Sequence, residues 1–219
     1  MDAFQQDWIK FHSGSWPIGH ILRDTPGWNL TRFHLLPGKR AVASDHSELR
    51  GLIERYNTMA TAVLGDGQPC WLVLLASPNE NAAHRKRRMR VERQWKLSPG
   101  WSFYSGTDTL TYTVMSGEVI WQHNRFNRLF LHVYQRRLWD VLFMNQATGA
   151  VFTPYEAGCE VSQPTPQQLM DVISGYYGWL PKNGDGFLSF NPAQMQGTTF
   201  KVSKPCSEAI SSAVKKPAV

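Results

Sequence analysis

The run Cys70 to Ala76, CWLVLLA, constrains this chain more than any other segment. Seven apolar residues in succession are far short of the roughly 18 that cross a bilayer, and they suit a buried central strand. A helix should precede it. Asp45 followed by Glu48 is a capping pattern, and Leu49, Leu52, Ile53, Tyr56, Ala60, Val63 and Leu64 form one apolar stripe at helical spacing. Gly65-Asp66-Gly67 ends that helix over 45–64.

Other elements follow from the same periodicities. Asp2 caps a helix over 2–12 with Phe4, Trp8 and Phe11 on one face. Trp28 to Leu36 reads as a strand closed by Pro37-Gly38. In 88–97, Met89, Val91, Trp95 and Leu97 alternate with Arg88, Arg90, Glu92, Gln94 and Lys96, which predicts a strand with one buried and one basic face. Strands at 109–115, 118–123, 128–135, 138–144 and 150–154 are joined by short links, which favours antiparallel pairing. Thr165-Pro166-Gln167-Gln168 opens a helix to about 177, with Thr165 as cap. The expected class is therefore α+β: a mainly antiparallel meander sheet from 88–154 with helices 45–64 and 165–177 packed on one face. Hydrophobic residues at 42% and nine tryptophans are enough for a core. One domain over 1–196 is expected, then a mobile basic tail over 197–219 rich in Ser, Lys, Ala and Pro.

The net charge of +6 is concentrated. Arg85, Lys86, Arg87, Arg88, Arg90, Arg93 and Lys96 stand against Glu92 alone, and the tail adds four lysines against Glu208. The remaining body is slightly acidic, which weakens any argument from overall basicity to nucleic acid. The basic segment is either a charge-protected edge strand or a docking face for an acidic partner or phosphates.

Several chemistries lack their motifs. Cys70, Cys159 and Cys206 include no CxxC pair, so neither a disulfide framework nor a zinc site is expected. GxxxxGK[ST], GxGxxG and GxSxG are missing, and Cys70 falls in an apolar run where a cysteine is a small core residue. NGDG at 183–186 carries too few carboxylates for a calcium loop. None of the seven histidines has HxH or HxxxH spacing; His123 and His132 fall on neighbouring predicted strands and could approach each other, but no metal or cofactor is expected. The start MDAFQQDWIKFH lacks the basic block and apolar core of a signal peptide, so a cytoplasmic location without membrane association is the default.

The stretch 139–158, WDVLFMNQATGAVFTPYEAG, is the most distinctive. Asp140, Tyr155 and Glu156, with His132, are candidates for a polar pocket at one end of the sheet, against the plainer reading of a hairpin and turn. Trp139-Asp140-Val141, Phe143, Asn145, Phe152, Tyr155-Glu156-Ala157-Gly158 and Tyr176 to Trp179 resemble an uncharacterised bacterial domain-of-unknown-function family. That family carries a Tyr-Asp-Asp-Arg-Gly-like motif before a helix and a Tyr-x-x-Trp. Upstream, Thr31-Arg32-Phe33 is similar in order. The motif here is one residue shorter and lacks the arginine. The resemblance implies an α+β sheet domain without an assigned activity, similar in size and plan to immunity proteins of bacterial toxin systems.

These readings leave three functional expectations. The first is a non-catalytic protein-binding protein, such as a toxin-neutralising immunity protein or an inhibitor of a bacterial or phage protein. Its partner would carry an acidic surface and meet Arg85, Arg88, Arg90 and Lys96, with Trp95, Trp101 and Trp121 as aromatic anchors wherever they are exposed. The second is a nucleic-acid-associated protein that binds phosphates through 85–96. The third is an enzyme with an unfamiliar site around His132, Asp140, Tyr155 and Glu156.

Overall fold

In the computed structural model the described residues are 1–19, 22, 29–36, 40, 42–104 and 110–181. The expectations for Trp28, Pro37-Gly38, the 183–186 turn and the 197–219 tail fall outside them.

Asp2 accepts a hydrogen bond from the Gln5 amide (2.8 Å) and opens helix α1, Ala3–His12. Strand β1 is Leu30–His34. Helix α2, His46–Leu64, is capped by Asp45, which accepts from the Glu48 amide at 2.8 Å. Strand β2, Pro69–Ala76, is followed by helix α3, Ala82–Trp95, and by strands β3, Ser98–Tyr104, and β4, Thr111–Ile120. Helix α4, Asn127–Tyr134, leads to β5, Val141–Asn145, β6, Val151–Tyr155, and β7, Gly158–Ser162. Helix α5, Pro166–Gly175, starts at the Thr165 cap and ends in a 3-10 turn, Tyr177–Trp179.

The strands form one seven-stranded sheet in the order β1-β7-β6-β5-β2-β4-β3, and every pairing is antiparallel. The α+β class is as expected. The run CWLVLLA is the central strand, held between β4 and β5. Its continuity has a direct cause: side chains alternate across a strand, and both faces are covered. Cys70, Leu72 and Leu74 pack with Phe143, Phe152, Tyr56 and Phe130 under α2, α4 and α5. Trp71, Val73 and Leu75 pack with Leu142, Met144, Phe4 and Trp8 under α1. Helices α2 and α5 share one face, as the stripes implied, while α1 lies on the other.

Two predicted strands are helices. Residues 88–97 alternate in hydropathy, yet His84, Arg88, Val91 and Trp95 also recur at i, i+4, i+7 and i+11, and the helix runs over 82–95. The helix buries His84, Arg88 and Val91. Asn81 caps it by accepting from the His84 amide at 2.8 Å, and Lys96 ends it in the left-handed conformation with φ 53°. Residues 127–134 likewise present Leu129, Phe130 and Val133 to the core as α4. In both cases tertiary burial of a stripe overrides a local period-2 pattern.

Ser116-Gly117, the short link expected between strands 109–115 and 118–123, lies inside the continuous strand β4. A Cβ on Gly117 would stand 2.8 Å from the Leu97 side chain and 3.2 Å from the Lys96 carbonyl. The glycine therefore serves a close crossing of the α3–β3 link. Strand β7 went unread because Glu160 interrupts its apolar pattern; Arg32 stands opposite it in β1 and takes up its charge.

His12 ties α1 to the sheet. Its Nε2–H donates to the Gly149 carbonyl at 2.7 Å, and its ring packs on Trp8. Burial lowers its pKa from 6.5 to about 4, against a smaller opposing effect of that hydrogen bond. The unfolded chain therefore takes up this proton at a higher pH than the folded one. Stability present above pH 6.5 is lost as pH falls toward 4, by up to about 3 kcal/mol. Urea denaturation of wild type and His12→Gln at pH 7 and pH 4.5 checks this: the wild type should lose more stability on acidification than the variant.

Candidate functional site

The basic segment splits between two fates because successive residues on a helix point about 100° apart. Arg88 turns inward and is 8% exposed. Its Nε donates to both oxygens of Glu80 (2.7 and 3.0 Å), and its Nη1 pairs with Glu92. The Glu80 side chain is only 1% exposed. His84 lies beside this pair, 3.4 Å from Glu80, and stacks on Trp139 with ring centroids 3.6 Å apart. Burial, the largest influence, holds the His84 pKa below the ordinary imidazole value. Arg88 is thus a structural cation whose guanidinium is taken up inside the fold by Glu80 and Glu92, so the expectation that it meets a partner has no exposed charge behind it.

Arg87 and Arg90 turn the other way. They line a small cleft of about 30 Å³ with Gln94 and Trp95 of α3, and with Arg125, Arg128 and His132 from the α4 side. The sequence reading missed Arg125 and Arg128 by assigning 128–135 to a strand. Their spacing from each other and from His132, three and then four residues, is the signal that one helical face would have revealed.

Helix α4 is held in place by side-chain amides. Asn57 of α2 donates to Asn127 Oδ1 (2.6 Å) and accepts from the Asn124 amide (2.9 Å). Arg125 donates to the Ile120 carbonyl at 3.1 Å, and its guanidinium lies 5.4 Å from the Trp95 ring centroid. Arg87 donates to the Arg137 carbonyl at 3.3 Å. Among the described residues Arg87, Arg90, Arg125 and Arg128 have no carboxylate partner. The field they create is registered by His132, whose pKa is lowered first by burial and then by Arg87, Arg128, Arg137 and Arg90.

The remaining partner-binding candidates are dispersed. Arg85 and Lys96 are exposed outside the cleft. Trp101, on β3, stacks on Phe4 at 5.4 Å. Trp121 is 0% exposed; its Nε1–H donates to Thr61 Oγ1 at 3.0 Å and its ring packs on Phe126 and Phe143. Burial therefore removes Trp121 as an anchor. Trp95, half-buried at the cleft wall, is the tryptophan that sits among the arginines.

Of the four polar-pocket candidates, three come together. Asp140, Tyr155 and Glu156 line a cavity of about 380 Å³ with Arg136, Trp139 and Glu160. His132 lies in the arginine cleft instead, because it belongs to a helix and not to a strand beside β5. Arg136 donates to Glu156 at 2.7 Å. Glu160, 3% exposed, accepts from Arg32 Nε and Nη2 at 3.2 and 2.5 Å. The Tyr155 hydroxyl donates to the Phe33 carbonyl at 3.2 Å, beneath the Arg32 guanidinium 5.0 Å from its ring centroid. Asp140 adopts the left-handed conformation at φ 53°. Both glutamates are thus spent on arginines and the phenol on the backbone. Burial pushes the Cys70 thiol up to about 12 and the Cys159 thiol well above its ordinary range, so neither offers a thiolate at neutral pH. His123 pairs with Glu54 at 2.9 Å and does not line the cleft that holds His132. Among the described residues no group of three His, Cys, Asp or Glu could hold a metal, and no helix is long and apolar enough to cross a membrane.

The family model Domain of unknown function (DUF3885) matches residues 18–183. The chain belongs to that family. The DUF3885 match runs from just before β1 to just past the 3-10 turn, so it contains the sheet, the cleft and the cavity but not α1. No curated protein and no solved structure matches the chain.

The inward and outward arginines of this DUF3885 domain should respond differently to substitution. Arg88→Met leaves Glu80 buried without its main partner and should cost about 3–5 kcal/mol. Arg90→Met removes an exposed charge and should stay within about 0.5 kcal/mol of wild type. Urea denaturation at pH 7 measures both; equal effects would contradict the placement of Arg88.

Proposed function

We propose that this protein is a non-catalytic binding protein that docks an acidic protein partner on the α3–α4 face. The observation that carries this reading is the group Arg87, Arg90, Arg125 and Arg128 around one cleft without a carboxylate among them. Like charges gathered around one cleft repel one another, and an acidic partner relieves that repulsion while adding charge-assisted hydrogen bonds. Arg87 and Arg125 are already held by backbone carbonyls, so less side-chain freedom is lost on docking. Trp95 supplies an aromatic surface inside the ring of cations. A toxin-neutralising immunity protein, or an inhibitor of a bacterial or phage protein, is the specific form of this reading. Such a protein acts by covering its target and needs a binding face, not a catalytic set.

Phosphates of a nucleic acid are the second reading, favoured by the same guanidinium groups. The patch is short for that role: α3 has 14 residues, about 21 Å of axis. The rest of the chain outside 85–96 and the tail is slightly acidic and would not extend a phosphate track.

The test compares wild type with the triple variant Arg87→Glu, Arg90→Glu, Arg128→Glu, chosen from the exposed side of the helices. Affinity capture from the native host, with mass spectrometry, should recover a stoichiometric acidic protein with wild type. The purified pair should bind at least about 100-fold more weakly with the variant, in line with truncation of paired interfacial charges. A partner retained at equal affinity by the variant overturns the reading. Recovery of DNA or RNA in place of protein, with steep salt dependence, selects the second.

A further inference from the structure

We infer that the α3–α4 cleft is a discrete phosphoryl-binding subsite, and that the group it receives is a phosphoryl carried by the protein partner. The inference rests on the docking reading above and specifies the chemistry at its centre. Four guanidinium groups and an imidazole line one small cleft. A carboxylate brings one negative charge and two oxygens to that ring. A phosphoryl group brings about −1.5 to −2 and three acceptor oxygens. The larger charge matches a site in which none of the four arginines is compensated within the described protein.

Geometry adds to charge. Arg87 and Arg125 each spend one N–H on a backbone carbonyl, of Arg137 and Ile120, which holds the guanidinium and leaves its other N–H groups for a ligand. Guanidinium forks match tetrahedral oxyanions by paired N–H···O bonds, where lysines act only as point charges. The ring around this cleft contains four arginines and no lysine, although Lys86 and Lys96 belong to the same segment. Gln94 adds a neutral amide at the rim. The floor is firm: Val91 and Leu129 belong to the core that packs α3 and α4 on the sheet.

The test uses the full chain and isothermal titration at pH 7 and low salt. The probes are an acidic phosphoserine peptide, the same peptide with glutamate in place of phosphoserine, inorganic phosphate alone, and a short single-stranded RNA. Two charge-matched variants are compared: Arg90→Gln/Arg128→Gln inside the cleft and Lys86→Gln/Arg93→Gln outside it, each shown by circular dichroism to remain folded. The expected result is phosphoserine peptide at least tenfold tighter than its glutamate counterpart, with that preference lost in the cleft variant and kept in the other. Inorganic phosphate should compete with the peptide. Equal affinity for the phosphoserine and glutamate peptides, both lost in the cleft variant, overturns the phosphoryl subsite and leaves the docking face standing. Equal losses in the two variants overturn the subsite as diffuse electrostatics. Preferential binding of RNA, or binding of no probe, overturns it as well, and the capture experiment then decides the docking reading separately.

Discussion

Everything in this protein is arranged around a strand that must be covered twice. β2 has no polar side, so it can exist only with β4 and β5 as neighbours and apolar layers above and below. On one side the cover comes from α2, α4 and α5, and on the other from α1. Hydrogen bonds then fix the layers where packing alone would let them slide. Asn145, buried beside the end of β2, donates to the Leu64 carbonyl at 2.7 Å and accepts from Ala147 and Thr148, which locks the end of α2 to the β5–β6 turn. Asn57 does the same between α2 and α4.

The candidate binding face is a consequence of that layering. Helix α4 must bury Leu129, Phe130 and Val133 over the sheet, so Arg125, Arg128 and His132 are carried to its side. Helix α3 must bury Val91 and the Arg88–Glu80 pair, so Arg87 and Arg90 are carried toward α4. A buried ion pair contributes little net stability, yet it sets the rotation of α3 about its axis, because any other rotation would leave Glu80 uncompensated in the interior. The same pair packs His84 against Trp139, at the rim of the second cavity. Arg88 therefore determines where its neighbours point without itself meeting a partner.

The second cavity shows how the same residues can be legible as a cluster without being legible as chemistry. Asp140, Tyr155 and Glu156 belong to one distinctive stretch of sequence, and they share a wall because β5 and β6 are adjacent strands. What the stretch could not reveal is that Arg136 and Arg32 would arrive from distant parts of the chain to engage Glu156 and Glu160. The Arg32–Glu160 pairing depends on the β1–β7 register and has no local signature. Trp121 is the converse case: a tryptophan followed by the polar run Gln122 to Arg125 lies wholly inside the aromatic cluster with Phe126 and Phe143.

The sequence by itself determined the elements whose apolar period is unambiguous and whose ends carry caps. Helix α1 with Asp2, α2 with Asp45 and α5 with Thr165 fall within a residue or two of where their patterns place them, and the apolar run is the central strand. The α+β class follows from those elements, since clustered strands beside separate helices leave few other arrangements. Only the tertiary structure decided the state of 82–95 and 127–134, where apolar residues satisfy both a two-residue and a helical period. The free energy that chose between them is the burial of one stripe, that of 82–95 against β2 and β4 and that of 127–134 against α2 and β6. That choice also decided the function proposed here. The arginines that a strand would have ranked along one exposed face are instead divided by helical rotation, Arg88 into the core and Arg87 and Arg90 to a cleft.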